Sequence, residues 1–414
     1  MKEDPGTRED EDFIIITNSP GEVSSWVSST TRSLKLLKPH ARIVVVLVPC
    51  PYATGREKDI AYSFPQVDMV LTPREYIKLC LGFKLSTFKP SKKGIVLFLG
   101  GDFWHALWIA RKLKYPAAAY AVKNSGWNKY FEILFVMDDR TRQGLLDQGI
   151  PDSRIEVVGN LMRDGVNASM DRREALARWG LDPDRLTVGI FPGSRLTHIQ
   201  QSLSVFLKVA EELHEQLPPI QFLLSLSPYI DISEIEKTLR RPELGGIEGT
   251  SGSLAKKGDL WEVRTKGGVH IPMMKDNQYN LINASDLVLT IPGTNTAEIA
   301  ALGKPMIVSF SWRTRLPRGG LGFFLNFLPL HWSLRRTIMQ MAFQKIIFKA
   351  LPNQWANREI VPEVQLEAKA EELTKVALDL LRDGKKREKI SHELIQVLGA
   401  QGAAEKIARR IVSS

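Results

Sequence analysis

Short apolar runs alternating with helix-like segments, in two successive sets, predict an α/β protein of two Rossmann-like, doubly wound domains. Three observations carry this expectation. The 414-residue chain is too long for one compact core. Its strand candidates are continuous runs of Val, Ile and Leu, as in parallel sheets buried on both faces. Turn-forming Gly, Pro, Asn and Ser follow directly on several of these runs.

In the first half, residues 13–17 (FIIIT) form a strand that leads into the turn Asn18-Ser19-Pro20-Gly21 and a helix to about Leu37. Residues 42–48 (RIVVVLV), 67–71 (VDMVL) and 94–99 (GIVLFL) are further strands, the last ending in Gly100-Gly101. A helix over about 103–113 follows, then PAAAYAV and ILFVM. The second set opens with a helix over 171–179 and the strand 186–191 (LTVGIF), which runs into Pro192-Gly193-Ser194-Arg195 and a helix from about His198 to Leu217. QFLLSLS, 286–291 (DLVLTI) and 305–310 (PMIVSF) continue it, with a helix at 296–302. Strands alternating with helices imply parallel sheets. Residues 1–12, mostly charged, read as a disordered lead-in. The first domain spans 13–165. The second spans 166–363, with a basic and aromatic insertion at about 313–350. Charged, Ala/Leu-rich helices over 364–414 are expected to pack back across the domains. Two such domains facing a cleft make the plan called GT-B.

Composition narrows the function. Hydrophobic residues are 43% and charged residues 25%, which excludes a largely disordered chain. The formal net charge is +10 and the pI about 9.4, which suits phosphate-bearing partners. Two cysteines, Cys50 and Cys80, exclude a disulfide framework and a Cys-based zinc site. No signal-peptide pattern and no run of 18 apolar residues occurs; the nearest stretch, Gly319 to Leu334, contains Pro329, Asn326 and His331. The expected location is cytoplasmic, with peripheral contact at the inner face of the plasma membrane.

In doubly wound sheets ligands sit beyond the carboxyl ends of the strands, so the loops after strands hold the candidates. Gly193, Ser194 and Arg195 combine close backbone approach, helix N-terminal amides and a fixed charge, which suits a diphosphate; an ordinary strand–turn–helix is the alternative. Pro292, Gly293, Thr294, Asn295 and Thr296 offer hydroxyls and amides at a second helix start, with Glu298 one turn on, able to accept both ribose hydroxyls. The plainer reading makes the threonines caps and Glu298 a favourable first-turn acid. Asn18, Gly21, Glu22 and Ser24 follow the first strand without the G-x-G-x-x-G fingerprint of dehydrogenases, and suit an acceptor sugar or a tight turn. Asp102 and His105 are three apart at a helix start, so both can project to one side as a general base or an oriented pair; a helix-capping Asp102 is the alternative. Asp182-Pro183-Asp184 spells D-x-D but lies before a strand in a turn, and reads as a linker rather than a metal site.

Two stretches lack acids. Tyr76 to Gly101 carries five lysines, including Lys78 and Lys84. Ile299 to Arg358 carries nine Lys/Arg, including Arg335 and Arg336, around Phe323, Phe324, Phe327 and Trp332. Basic charge beside aromatics suits an anionic membrane surface; a buried hairpin with basic ends is the alternative. No nucleic-acid-binding motif accompanies them.

Taken together, Gly21-Glu22-Val23-Ser24, PGSR, Asn283-Ala284-Ser285-Asp286 with Pro292-Gly293-Thr294 and Glu298, and LPN (351–353) with REIVPE (358–363), occur in an order that resembles lipid-A-disaccharide synthase, across roughly residues 13–400. The resemblance implies a metal-independent, inverting GT-B glycosyltransferase without a cofactor. It would move an N-acetylglucosamine-type sugar from a UDP-sugar to a lipid-linked acceptor at the membrane. It also implies that Arg195 stabilises the leaving diphosphate, Thr294–Thr296 hold phosphate, Glu298 holds ribose, and Asn353 and Glu359 close the nucleotide site. The family's GEASGD reads GEVSSW here, and its DAPDFN reads DFWHAL, so that its second Asp falls on His105. The chain is therefore expected to be a divergent relative; a homodimer is compatible with the sequence. Two alternatives use the same nucleotide pocket: an enzyme like UDP-N-acetylglucosamine 2-epimerase, against which the basic aromatic stretches argue, and a non-catalytic nucleotide-sugar-binding protein.

Overall fold

A computed structural model describes residues 11–18, 20–49, 57–121, 125–227, 230–242, 248–258, 260–275, 277–311, 347–366 and 370–413. The basic and aromatic residues Phe323, Phe324, Phe327, Trp332, Arg335 and Arg336 lie outside them, as does Cys50. The chain divides into two compact units: 1–165 with 399–414, and 166–398. Each is an α/β unit around one mainly parallel sheet, and two in succession form the GT-B plan.

The first sheet is built from β1 (Glu11–Thr17), β2 (Arg42–Leu47), β3 (Met69–Leu71), β4 (Lys93–Phe98), β5 (Ala117–Ala121), β6 (Ile133–Val136) and β7 (Ile155–Val157). All pairs are parallel and the order is β3-β2-β1-β4-β5-β6-β7. Alternation divides the core cleanly. Phe13, Ile15, Ile43, Val45, Ile95 and Leu97 pack on one face, while Ile14, Ile16, Val44, Val46, Val96 and Phe98 pack on the other. This two-sided burial is why the strands read as unbroken apolar runs. The first face is covered by α1 (Ser28–Leu37), which continues a single π-type turn over Val23–Val27, and by the terminal helix Ala403–Val412. The Asp164 carboxylate accepts the backbone N–H groups of Gly402 and Ala404, each at 2.7 Å, and so fastens that helix to the unit. The second face is covered by α2 (Pro73–Cys80) and α3 (Phe103–Leu113).

The expected lead-in ends sooner than residue 12, because β1 takes up Glu11 and Asp12. Asp12 is fully buried. Its carboxylate receives a two-pronged bond from Arg42 (2.7 and 2.9 Å), the N–H and hydroxyl of Ser91 (2.8 and 2.9 Å) and the Tyr115 hydroxyl (3.1 Å). Five donors replace water around the charge, so an acid at the start of a core strand is tolerated.

The second sheet contains β8 (Leu186–Phe191), β9 (Ile220–Leu226), β10 (Gly252–Lys257), β11 (Leu260–Thr265), β12 (His270–Lys275), β13 (Leu287–Thr290), β14 (Met306–Phe310) and β15 (Glu363–Gln365), in the order β10-β11-β12-β9-β8-β13-β14-β15. From β12 to β15 it is parallel; β10 and β11 add an antiparallel edge. The hairpin, β12 and β15 are additions to the strands expected from sequence. The 21-residue α4 (Leu196–Gln216) follows β8 and packs into the unit's core. The other helices used below are α5 (Gln278–Ala284), α6 (Asn295–Ala301) and α7 (Leu351–Ala356).

Removing one partner of a buried ion pair costs about 3–5 kcal/mol. Asp12→Ala should therefore lower the unfolding free energy by that order, measured by urea denaturation followed by tryptophan fluorescence. Glu405→Ala, in an exposed pair with Arg409, should stay within about 0.5 kcal/mol of wild type.

Candidate functional site

In each sheet the strand order reverses at one point. In the second unit that point lies between β8 and β13, which are direct neighbours. Chains leaving their carboxyl ends diverge to opposite faces and leave a crevice. Both phosphate-type loops expected from sequence, 192–195 after β8 and 291–296 after β13, leave from this place. Gly193 has φ +103°, and a Cβ there would lie 2.6 Å from Ile291 Cδ1 and 3.0 Å from His198 Cβ. Only glycine fits both the backbone and the contact, so the two loops touch across the reversal.

Arg195 is the N-cap of α4, with an exposed side chain, and Ser194 beside it is also exposed. The first-turn N–H groups of a long helix and a guanidinium thus occupy one spot, a combination suited to a diphosphate. The loop is anchored below by Ser202, whose hydroxyl donates to the carbonyls of Pro192 (3.0 Å) and His198 (2.9 Å). The sequence reading missed His198. Its imidazole lies under Gly193, and burial, then the nearby Arg195 charge, push its pKa down to about 4. It is a neutral packing group beneath the loop at pH 7.

On the other side of the reversal, Gly293 and Thr294 are exposed and Pro292 is half-buried. Asn295 and Thr296 serve the loop itself. The Asn295 amide donates to the Thr290 hydroxyl and the Ile291 carbonyl. The buried Thr296 hydroxyl donates to Gly293 O (2.8 Å) and accepts from Leu351 N (3.2 Å), tying α6 to α7. Glu298 lies within the first turn of α6 and is buried. Desolvation raises its pKa to about 7, and its polar neighbour is the Gln278 amide at 3.4 Å, from α5. Gln278 is a second residue the sequence reading did not single out.

The segment Leu351–Glu363 has a different character. Asn353 is fully buried and uses its whole amide inside the chain. It donates to Val361 O (2.8 Å) and Glu363 Oε1 (2.9 Å), and accepts from Ile360 N (2.8 Å) and Val361 N (3.0 Å). Glu363 in turn accepts from the N–H groups of Lys349 and Ala350. Asn353 is thus a clamp on its own segment, whereas Glu359 is exposed. The Asn283–Asp286 motif is likewise structural: Asn283 donates to Met170 O (3.1 Å), and Asp286 accepts from Arg172 (2.9 Å) and Thr187 N (2.8 Å). Asp182 and Asp184 pair with Arg185 and Arg173, as suits a linker.

In the first unit the reversal falls between β1 and β4. Their loops bring Asn18, Glu22, Gly100 and Gly101 together. A Cβ on Gly100 would lie 1.9 Å from Glu22 Oε2, and one on Gly101 (φ +97°) 3.1 Å from Asn18 Nδ2. Gly21 accepts the Ser24 hydroxyl (3.4 Å) and the Ser25 hydroxyl (2.5 Å) through its carbonyl.

Asp102 and His105 do not form an oriented pair. Asp102 is the N-cap of α3, but its exposed carboxylate makes no capping bond. His105 is buried, and its Nδ1 lies 2.5 Å from the Tyr76 hydroxyl on α2. The Trp104 ring covers it at 3.7 Å between centroids. Burial pulls the His105 pKa down to about 4 against the opposing pull of Asp102. Lys78 and Lys84 are exposed. Among the described residues, no helix is long and apolar enough to cross a membrane.

A family model described as lipid-A-disaccharide synthetase matches residues 152–244, which include β8 and the 192–195 loop. The lipid-A-disaccharide synthase of Geobacter sulfurreducens is 28% identical over 63% of this chain and 56% of its own length. That of Nitrosococcus oceani is 28% identical over 64% of this chain and 57% of its own. The chain therefore aligns with just over half the length of these relatives. Among solved structures, the UDP-GlcNAc 2-epimerases of Methanocaldococcus jannaschii (TM-score 0.57, 15% identity, 98% of this chain and all of that one) and Neisseria meningitidis bound to UDP-GlcNAc (TM-score 0.57, 13% identity, the same coverage) share the fold. With the ordered motifs, the matched segment and the two reversal points in place, the chain is a divergent relative of the lipid-A-disaccharide synthases.

Proposed function

We propose that the protein is an inverting glycosyltransferase that moves a sugar, of N-acetylglucosamine type, from a UDP-sugar to a lipid-linked acceptor. The observation that carries this reading is the meeting of the 192–195 and 291–298 segments at the reversal point of the second sheet. It joins a helix start, an arginine and a buried carboxyl group at the ends of two neighbouring strands, groups of the kind that bind the diphosphate and ribose of a nucleotide. The sequence relatives are named as lipid-A-disaccharide synthases; the epimerase likeness is one of fold alone.

In this reading the acceptor hydroxyl attacks the anomeric carbon from the face opposite UDP, and the bond to the β-phosphate oxygen breaks. Negative charge grows on UDP. Arg195 and the first amides of α4 offset it in place of a metal ion, and exposed Ser194 and Thr294 donate to phosphate oxygens. Glu298 accepts from the ribose hydroxyls once it has lost its proton. Asp102 takes the proton from the acceptor, since it is exposed at a strand end whereas the His105 imidazole is engaged by Tyr76. Asn18 and Glu22 line the acceptor side. Asn353 closes the nucleotide site indirectly, by fixing the segment that carries Glu359. The enzyme works on the cytoplasmic membrane surface.

Three outcomes test these roles. Arg195→Ala should lower kcat at least about a hundredfold, on the order of 2.7 kcal/mol of transition-state stabilisation, in a UDP-release assay; near-normal turnover would remove Arg195 from the mechanism. UDP affinity should rise as pH increases through about 7, because the ligand selects the ionised Glu298. Calorimetric titration of Glu298→Gln should then show weaker binding with a flat profile across that range. Finally, Asp102→Asn should lose about 10²–10⁴ in kcat while Tyr76→Phe loses far less. The reverse ranking would reassign the base to His105. Release of a free epimerised sugar without an acceptor would instead support the epimerase reading.

A further inference from the structure

We propose that the outer face of α2 and α3 is the surface by which the protein docks on an anionic lipid bilayer. The inference deepens the proposed function, on which it rests for its purpose, by assigning the surface from which a lipid-linked acceptor is drawn.

The inner faces of the two helices are accounted for. Tyr76, Leu79, Ala106, Ile109 and Ala110 pack on the first sheet. The helices are held side by side by the Tyr76–His105 bond and by Lys112, whose ammonium lies 3.4 Å from the Cys80 carbonyl. Their outward residues recur at helical spacing. On α3, Trp104 and Trp108 share one stripe with Arg111 and Lys112. On α2, Arg74, Ile77 and Lys78 share another, and Leu81 continues it. Large apolar groups stand in water here: Leu81 is 70% exposed, Phe83 62%, Trp108 51%, Ile77 45% and Trp104 43%. The Lys112 ammonium sits against Gly82, between Leu81 and Phe83, which joins the two stripes.

Isolated exposed apolar residues need no explanation, but a group of five on two adjoining helices and the turn that ends α2 does. Charge identifies the occupant. The apolar strip is rimmed by Arg74, Lys78, Lys84, Arg111, Lys112 and Lys114, all exposed. From Tyr76 to Gly101 there is no acid at all. Glu75, at the start of this face, is turned back into a capping box with Thr72. Tryptophans, flanked by long basic side chains that reach toward phosphate, form the usual interfacial pattern. The face also begins where β4 ends: Asp102 is the N-cap of α3, two residues before Trp104. A chain anchored by this strip holds its acceptor-side loop at the level of lipid headgroups.

The test is sedimentation of the full chain with vesicles of phosphatidylcholine alone and of phosphatidylcholine with phosphatidylglycerol. Wild type should pellet with the anionic vesicles and much less with the neutral ones. The triple variant Leu81→Ser, Phe83→Ser, Trp108→Ser should lose about tenfold or more in partition coefficient. Lys78→Glu with Lys84→Glu should lose binding that low salt restores only in part. All variants should keep wild-type UDP affinity and melting behaviour, since the altered side chains are exposed. Wild type left in the supernatant, or a triple variant that binds like wild type, overturns the proposal. So does a concentration-dependent dimer, seen by sedimentation velocity, that the triple variant abolishes, because the face would then belong to a second copy. Failure of wild type to bind UDP strikes the glycosyltransferase reading instead and leaves the vesicle result standing.

Discussion

A parallel sheet buried on both faces leaves its chain few places to do chemistry. Helices cover Phe13, Ile15 and their neighbours on one side of the first sheet, and Ile14 and Ile16 on the other. Side chains of the strands are therefore committed to the core, and only the strand ends open to solvent. Where the order reverses, between β1 and β4 and again between β8 and β13, neighbouring loops part and backbone amides become available. The exposed candidates Asp102, Ser194, Arg195 and Thr294, and the half-buried Glu22, lie in or directly after such a loop. The chemistry follows from a topological constraint that the core residues impose.

The same constraint explains why a motif can mark a family without marking a ligand. Asn283, Asp286, Thr296 and Asn353 belong to the most distinctive segments of the chain, yet each spends its polar atoms on backbone or side-chain partners within its own unit. Buried amides and hydroxyls fix a loop's backbone, as presenting amides to the proposed diphosphate would require. Arg195, Ser194 and Glu298 differ in kind. Two are exposed at a helix start, and the third is a buried acid whose only cause of pKa shift is desolvation. Such a carboxyl group adds nothing to stability that an apolar residue could not, which fits the ribose-binding role proposed for it.

What could be read from sequence tracks how locally each feature is determined. Parallel strands such as 13–17 and 186–191 announce themselves because burial on both faces requires an unbroken apolar run. The hairpin β10–β11 does not: its Lys256, Lys257 and Ser253 face solvent, so GSLAKK looks like a loop, and only pairing with β11 makes it a strand. Gly193 and Arg195 were legible because glycine and a helix-start arginine are local signals. His198 and Gln278 were not, since each acquires its place through contacts with other segments. His105 shows the opposite error. At i+3 from Asp102 it looks like a solvent-facing partner, but the tertiary bond to Tyr76 turns it inward.

That inward turn bears on how the chain diverged. At the position where the motif of the resemblance, DAPDFN, has its second Asp, this chain has an imidazole, held neutral by burial and covered by Trp104. A carboxylate in that position beside the Tyr76 hydroxyl would face the desolvation that pulls His105 down to about 4, and would need a cation or several donors to stay ionised. A histidine satisfies the same hydrogen bond without a charge and lets α2 and α3 close together. Asp102 is an ionisable side chain exposed at this strand end, and Trp104 is exposed on the outer surface nearby.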